Sequence, residues 1–187
     1  MKTKGLLLLL SVSVFYFSTS CKKEEDDHLD RWMISNLMAY NAIKTNPEYK
    51  ELVSPGKEGS IYYKVLKAGD GTEPIWYTSH VSCYYKGYFI ANYPEYKIST
   101  GNTFDQRLFD DGPAMTFSIT GSNLINGWKT ALQHMVKGDV WEIWVPYQLG
   151  YGRSGSRNSS TGVVTIPGYS TLVFEVEVVD VFGIDDL

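Results

Sequence analysis

The spacing of apolar residues changes at Ser60, and that change restricts the fold of this chain more than any other feature. Beyond it, apolar side chains recur at every second position in short runs separated by turn residues. The final run is the clearest: Leu172, Phe174, Val176 and Val178 share one face, and Glu175 and Glu177 share the other. A period of two means a strand with one buried and one wetter face. Ile61 to Leu66, His80 to Tyr88, Met115 to Ile119 and Val140 to Val145 follow the same pattern.

One segment breaks the alternation. Leu124, Ile125, Trp128, Leu132 and Met135 form an apolar stripe at helical spacing, with Ser122 or Asn123 as the expected N-cap and Gly138 as the expected left-handed C-cap. The pattern predicts the α+β class, a curved antiparallel sheet with one short helix packed on it. A second helix is expected earlier in the chain. Asp30 can cap it, Met33, Leu37, Met38, Tyr40 and Ile43 supply apolar positions, and Asn46-Pro47 stops it. This helix can pack on the main domain, space that domain from a membrane, or pair with a second copy. The turn-rich run Ser54-Pro55-Gly56-Lys57-Glu58-Gly59 reads as the boundary that follows.

The first residues read as an export signal rather than as fold. Lys2 and Lys4 precede an apolar run from Leu6 to Phe17, and Ser18-Thr19-Ser20 follows it. The run is too short to span a bilayer core of ~30 Å, which needs about 20 helical residues. Cys21 stands where the signal ends, which resembles the lipobox of bacterial lipoproteins. That resemblance implies acylation of Cys21 and anchoring to the outer membrane, on either its periplasmic or its outer surface. The charged run Lys22-Lys23-Glu24-Glu25-Asp26-Asp27 reads as a solvated tether and also resembles the export signals of surface lipoproteins. The expected organisation is a signal over residues 1–20, a lipidated tether and helix over 21–58, and the main domain over 59–187.

Much familiar chemistry is missing. The 17 basic and 21 acidic residues leave no basic footprint for nucleic acid. His28, His80 and His134 are scattered without metal-ligand spacing, and no nucleophile elbow is present. Gly150-Tyr151-Gly152-Arg153-Ser154-Gly155 formally matches a dinucleotide fingerprint, but it enters a Ser/Asn/Gly-rich loop instead of opening a helix between parallel strands. With Cys21 lipidated, Cys83 is the one remaining thiol, and its strand pattern makes it a small core residue. The sequence therefore calls for no cofactor and no metal.

From Ser60 to Phe182 several motifs appear in a fixed order: Val81-Ser82-Cys83-Tyr84-Tyr85-Lys86-Gly87, Thr103-Phe104-Asp105, Leu124-Ile125-Asn126-Gly127-Trp128, Met135 through Gly138, Val145-Pro146 through Tyr151-Gly152, then Ile166-Pro167 and Ser170 through Glu177. Together they resemble the FKBP family of peptidyl-prolyl cis-trans isomerases. The resemblance implies a curved sheet wrapped around one helix, and catalysis of rotation about peptide bonds preceding proline. It also implies site residues. Trp128 would floor the pocket, with Tyr85, Phe104, Phe117, Leu124, Ile166 and Phe174 around it. Tyr151 would offer its hydroxyl to a substrate carbonyl, Ile125 its backbone N–H, and Asp105 would orient the site. Met115 stands where the family usually has a phenylalanine. The segment 106–112 aligns poorly, leaving Arg107 as the candidate basic partner of Asp105. The stretches Phe89 to Asn102 and Arg153 to Val164 are longer than usual, Thr165 replaces an isoleucine, and Gly168 replaces a proline. Expected partners are proline-containing polypeptides, the membrane through Cys21, and a second copy through the N-terminal helix. The competing expectation is a weakly catalytic or non-catalytic chaperone or binding module of the same fold at the cell envelope.

Overall fold

The structure, a computed structural model, describes residues 20–90 and 98–183. The expected export signal over residues 1–20 therefore lies outside the described residues except for Ser20. Among the described residues, nine strands and two α-helices follow one another in the order α1 (Ser20–Ile43), β1 (Lys50–Val53), β2 (Ser60–Lys67), β3 (His80–Ile90), β4 (Ile98–Arg107), β5 (Met115–Ser118), α2 (Asn126–Leu132), β6 (Val140–Val145), β7 (Ser156–Arg157), β8 (Val164–Ile166) and β9 (Leu172–Phe182).

Seven strands make one antiparallel sheet in the order β1-β2-β6-β9-β3-β4, with β5 also paired to β3. The long β3 is shared along one edge: β5 pairs with its first half, from His80 to Cys83, and β4 with its second, from Tyr85 to Ile90. Strands β7 and β8 form a separate small hairpin.

The sheet divides its side chains by parity. On one face Ile61, Val81, Cys83, Tyr85, Trp141, Ile143, Val145, Leu172, Phe174, Val176 and Val178 pack with Trp128, Ala131 and Leu132 of α2. On the other face the intervening residues Tyr62, Trp144, Val173 and Ile90 pack against Ala39, Tyr40 and Ile43 of α1. The second layer explains why Val173 and Trp144, on the face expected to be wetter, are buried. Tyr40 fixes the contact by donating its hydroxyl to the Ser60 carbonyl (2.6 Å).

Several expectations change. Helix α1 starts at Ser20, ten residues before the expected cap at Asp30, because the Lys/Glu-rich run ahead of Asp30 contains helix formers and no breaker. Its buried stripe is Asn36, Ala39, Tyr40 and Ile43, whereas Met38 is exposed. The turn-rich run 54–59 is a hairpin loop: the Ser54 N–H donates to the Gly59 carbonyl (2.9 Å), and β1 before it pairs with β2.

Helix α2 is shorter than the apolar stripe. Its N-cap is Ile125, in extended conformation, rather than Ser122 or Asn123, and Leu124 lies in the bend that precedes it. Gly138 does adopt a positive φ of 89°, but well past the helix end, where its N–H donates to the Val178 carbonyl (2.8 Å). The Asp139 carboxylate closes this turn by accepting the N–H groups of Gly69 and Val136, both at 2.8 Å.

Both long connections hold secondary structure. The stretch after Phe89 is strand at both of its described ends, with Ile90 paired to Ile98, while residues 91–97 lie outside the described residues. The loop after Arg153 folds on itself through Asn158, whose Oδ1 accepts the N–H groups of Ser160 and Thr161, both at 3.0 Å. The unusual Gly168 has a steric cause, since a Cβ there would lie 2.0 Å from the Arg153 carbonyl oxygen. The base of the β7–β8 hairpin closes directly against this backbone.

Candidate functional site

Where β3, β4, α2 and β9 meet on the α2 side of the sheet, a cleft is lined by Tyr85, Phe104, Asp105, Phe117, Asn123, Leu124, Ile125, Trp128, Tyr151 and Phe174. Its mostly aromatic lining with a few polar groups is that of a small-ligand site.

Trp128, only 3% exposed, forms the floor. It is held edge to face by Tyr85 (5.3 Å between centroids, 88°) and Phe174 (5.4 Å, 89°), and tilted against Phe117 (5.3 Å, 60°). Such arrangements satisfy the ring quadrupoles and give each ring a preferred angle. Phe104 closes the wall through Phe174 (5.5 Å, 83°). Its outer side is backed by Phe89 (4.8 Å), a contact that no motif had indicated.

The helix start contributes differently. Ile125 is in extended conformation (φ −66°, ψ 150°), and its carbonyl accepts the N–H groups of Trp128 and Lys129. The Ile125 N–H stands ahead of the helical ladder, where a backbone donor has no intrahelical partner.

Polar groups gather at the rim. The Tyr85 hydroxyl donates to Asp105 Oδ2 (3.0 Å). Burial, reinforced by the Asp105 carboxylate, pushes the Tyr85 phenol far above its ordinary range. Burial and the same carboxylate raise the Tyr151 phenol too. Both hydroxyls therefore remain protonated donors. Arg107 turns its Nη1 to the Asp111 carbonyl (3.0 Å), so it helps shape the β4 exit as well as adding positive charge near Tyr85.

Of the residues singled out from the sequence, Tyr85, Phe104, Asp105, Phe117, Leu124, Ile125, Trp128, Tyr151 and Phe174 come together in the cleft. Met115 and Ile166 are not among its lining residues. Met115 lies on the short β5 and is 39% exposed, with its Sδ 4.0 Å from the Tyr85 hydroxyl. Ile166 is buried in the core at the end of β8. Asn123, expected as a cap, lines the cleft instead; its place in a loop between β5 and α2 left no periodic signal.

Comparison with known proteins points in one direction. Residues 73–179 match the sequence profile of the FKBP-type peptidyl-prolyl cis-trans isomerases. The chain is 34% identical over 124 residues to the FKBP-type 22 kDa peptidyl-prolyl cis-trans isomerase of Escherichia coli (strain K12), covering 66% of this chain and 51% of that protein. It is also 34% identical over 140 residues to the peptidyl-prolyl cis-trans isomerase Mip of Coxiella burnetii, covering 75% of this chain and 50% of that protein. It thus spans about half the length of these relatives. Among solved structures, a peptidyl-prolyl cis-trans isomerase from Pseudomonas syringae superposes with a TM-score of 0.60 at 27% identity, covering 82% of this chain and 95% of that one. FkpA from Escherichia coli superposes with a TM-score of 0.64 at 26% identity, covering 88% of this chain and 65% of that one.

Proposed function

Because the chain belongs to the FKBP-type peptidyl-prolyl cis-trans isomerase family, we propose that its aromatic cleft accelerates rotation about X–Pro bonds in exported polypeptides. The observation that carries this reading is the Trp128 floor enclosed by Tyr85, Phe104, Phe117 and Phe174, with protonated Tyr85 and Tyr151 hydroxyls beside Asp105.

Amide resonance resists rotation with a barrier of ~18–20 kcal/mol. Twisting the bond removes the resonance and redistributes charge between the carbonyl oxygen and the prolyl nitrogen. A site that holds the twisted form better than either planar isomer lowers the barrier by differential binding. Trp128 and the ring walls take the prolyl ring, and burial there strips water from the amide. Tyr151 O–H and the Ile125 N–H donate to carbonyl groups flanking the twisted bond. Asp105, at the rim, holds the Tyr85 ring in register and faces the amide as its charge shifts. No bond is made or broken in this scheme. Uncatalysed isomerisation takes tens to hundreds of seconds, slow enough to limit folding outside the cytoplasm.

The same reading places the protein at the cell envelope, held to the outer membrane by a lipid on Cys21. Its support is the charged and apolar leader ahead of Cys21; no described helix is long and apolar enough to cross a membrane. Pairing of two copies through α1 draws support from Leu29 and Met38, exposed at 42% and 41% on that helix.

The test is isomerisation of a series of Xaa-Pro peptides by the chain from Lys22 onward, beside Tyr151→Phe and Asp105→Ala. Acceleration that falls in folded variants supports the assignment. No acceleration by a folded protein across the whole series overturns it.

A further inference from the structure

Helix α1 touches the sheet in two places that differ in kind. Its second half adheres through apolar surface, with Ala39, Tyr40 and Ile43 on Tyr62, Trp144 and Val173. One to two turns earlier the contacts are directional, and they converge on the segment that joins β8 to β9. Asn36, 1% exposed, accepts the Thr171 N–H on its Oδ1 (2.8 Å). Its backbone carbonyl accepts the Thr171 hydroxyl (3.1 Å), and its Nδ2 donates to the Trp32 carbonyl (2.9 Å). Trp32 Nε1 donates to Ser170 Oγ (3.2 Å), and Ser170 in turn donates to the Pro167 carbonyl (2.7 Å).

The segment so gripped leads straight into β9, where Phe174 forms part of the cleft wall. A second connection runs through rings. Trp32 stands edge-on to Phe89 (5.9 Å, 76°), Phe89 backs Phe104 (4.8 Å), Phe104 meets Phe174 (5.5 Å), and Phe174 meets Trp128 (5.4 Å). Both routes start on one turn of α1 and end on the same wall. A buried asparagine that spends its oxygen on a distant backbone N–H fixes position rather than adding adhesion, because shifting the helix would strand a buried donor and a buried acceptor.

We propose that α1 sets the geometry of the cleft from the far side of the sheet, with Trp32 and Asn36 as positioning residues that touch no substrate. The inference rests on the cleft being the isomerisation site. Phe104 and Phe174 are held at the spacing the twisted prolyl group needs only while Trp32 backs Phe89 and Asn36 holds Thr171. An active site whose wall is slightly misplaced loses transition-state fit before it loses ground-state binding.

The experiment compares wild type with Trp32→Ala, Asn36→Ala, Trp32→Phe, Ser170→Ala and Ile34→Ala, each at a temperature where circular dichroism shows it fully folded. The expected result is a fall of about tenfold in kcat/KM for Trp32→Ala and Asn36→Ala, carried by kcat more than by KM. Trp32→Phe, which keeps an aromatic edge on Phe89, regains most of the loss. Ile34→Ala, on the exposed side of the helix, behaves as wild type. A helix that only stabilises the fold would lower melting temperature and leave kcat per folded molecule unchanged. Should Asn36→Ala fail to fold, Trp32→Ala and the milder Ser170→Ala carry the comparison. An independent readout, free of substrate, is the aromatic ring resonances of Phe104 and Phe174, which should move in Trp32→Ala and Ser170→Ala and stay put in Ile34→Ala. Unmoved rings with wild-type kcat/KM in folded variants overturn the inference. A wild type that accelerates no peptide overturns the proposed function instead, and the ring resonances still decide whether α1 positions the wall.

Discussion

Replacing Gly87 with alanine puts the packing of the cleft wall to a quantitative test. Gly87 lies in β3 opposite Phe174 on one side and Asp105 on the other. A Cβ at this position would sit 2.7 Å from Phe104 Cζ, and 2.9 and 3.0 Å from Phe174 Cε1 and Cδ1. Carbon atoms pack best at ~3.5–4.0 Å, so the two rings would have to withdraw by roughly 1 Å. Neither is free to do so: Phe104 is backed by Phe89, and Phe174 stands against Trp128. Overpacking of this kind costs about 1–3 kcal/mol. The alanine also restricts the unfolded chain, which returns about 0.4–1 kcal/mol. The clash wins, and the expected net loss is about 1–2 kcal/mol in urea unfolding at 25 °C. Because the displaced rings are the wall of the cleft, kcat/KM of the folded variant should fall at least about tenfold. Phe104→Leu removes the nearest ring edge, so in that background Gly87→Ala should cost at least about 0.5 kcal/mol less, a coupling measurable by double-mutant cycle. A Gly87→Ala protein as stable and as active as wild type would refute the reasoning.

Asp139→Ala leaves the Gly69 and Val136 N–H groups without their acceptor in a site where Asp139 is 7% exposed, and should cost about 2–4 kcal/mol in the same unfolding titration. Burial raises the phenols of Tyr40, Tyr49 and Tyr85, so the folded state keeps these protons longer than the unfolded chain does. Their contribution is complete below the ordinary tyrosine value near ~10 and is lost as pH rises beyond it, so melting temperature should decline above about pH 10, and less steeply in Tyr40→Phe. The same shift at Tyr85 and Tyr151 should leave kcat/KM free of any phenol titration up to about pH 9; a fall below that pH restored by neither folding controls nor buffer change would contradict the protonated-donor role. Cys83 is fully buried, and burial raises its thiol, so with Cys21 replaced by serine the folded protein should resist a thiol reagent that labels it promptly in urea.

Sequence alone fixed whatever depends on local pattern. The alternation of β9 determined that Leu172, Phe174, Val176 and Val178 face a common core, because a pleated strand admits no other assignment once one face is apolar. The ordered motifs likewise contain eight of the residues that line the cleft, since each carries a recognisable residue type in a recognisable place. Tertiary structure decided the rest. Strands β1 and β4 lack a sustained apolar alternation, and it is pairing with their neighbours β2 and β3 that makes them strands. Met115 turns partly to solvent because β5 is a short edge strand paired, among the described residues, with β3 alone, while Ile166 is drawn into the core by the closure of the β7–β8 hairpin. Above all, the register of α1 on the sheet escaped the apolar pattern, which named Tyr40 and Ile43 but neither Ala39 nor Asn36. Its stripe contains Asn36, whose burial is favourable only because Thr171, 135 residues later in the chain, supplies the matching donors. Polar burial is a property of two partners at once, and only the folded chain brings the second one into place.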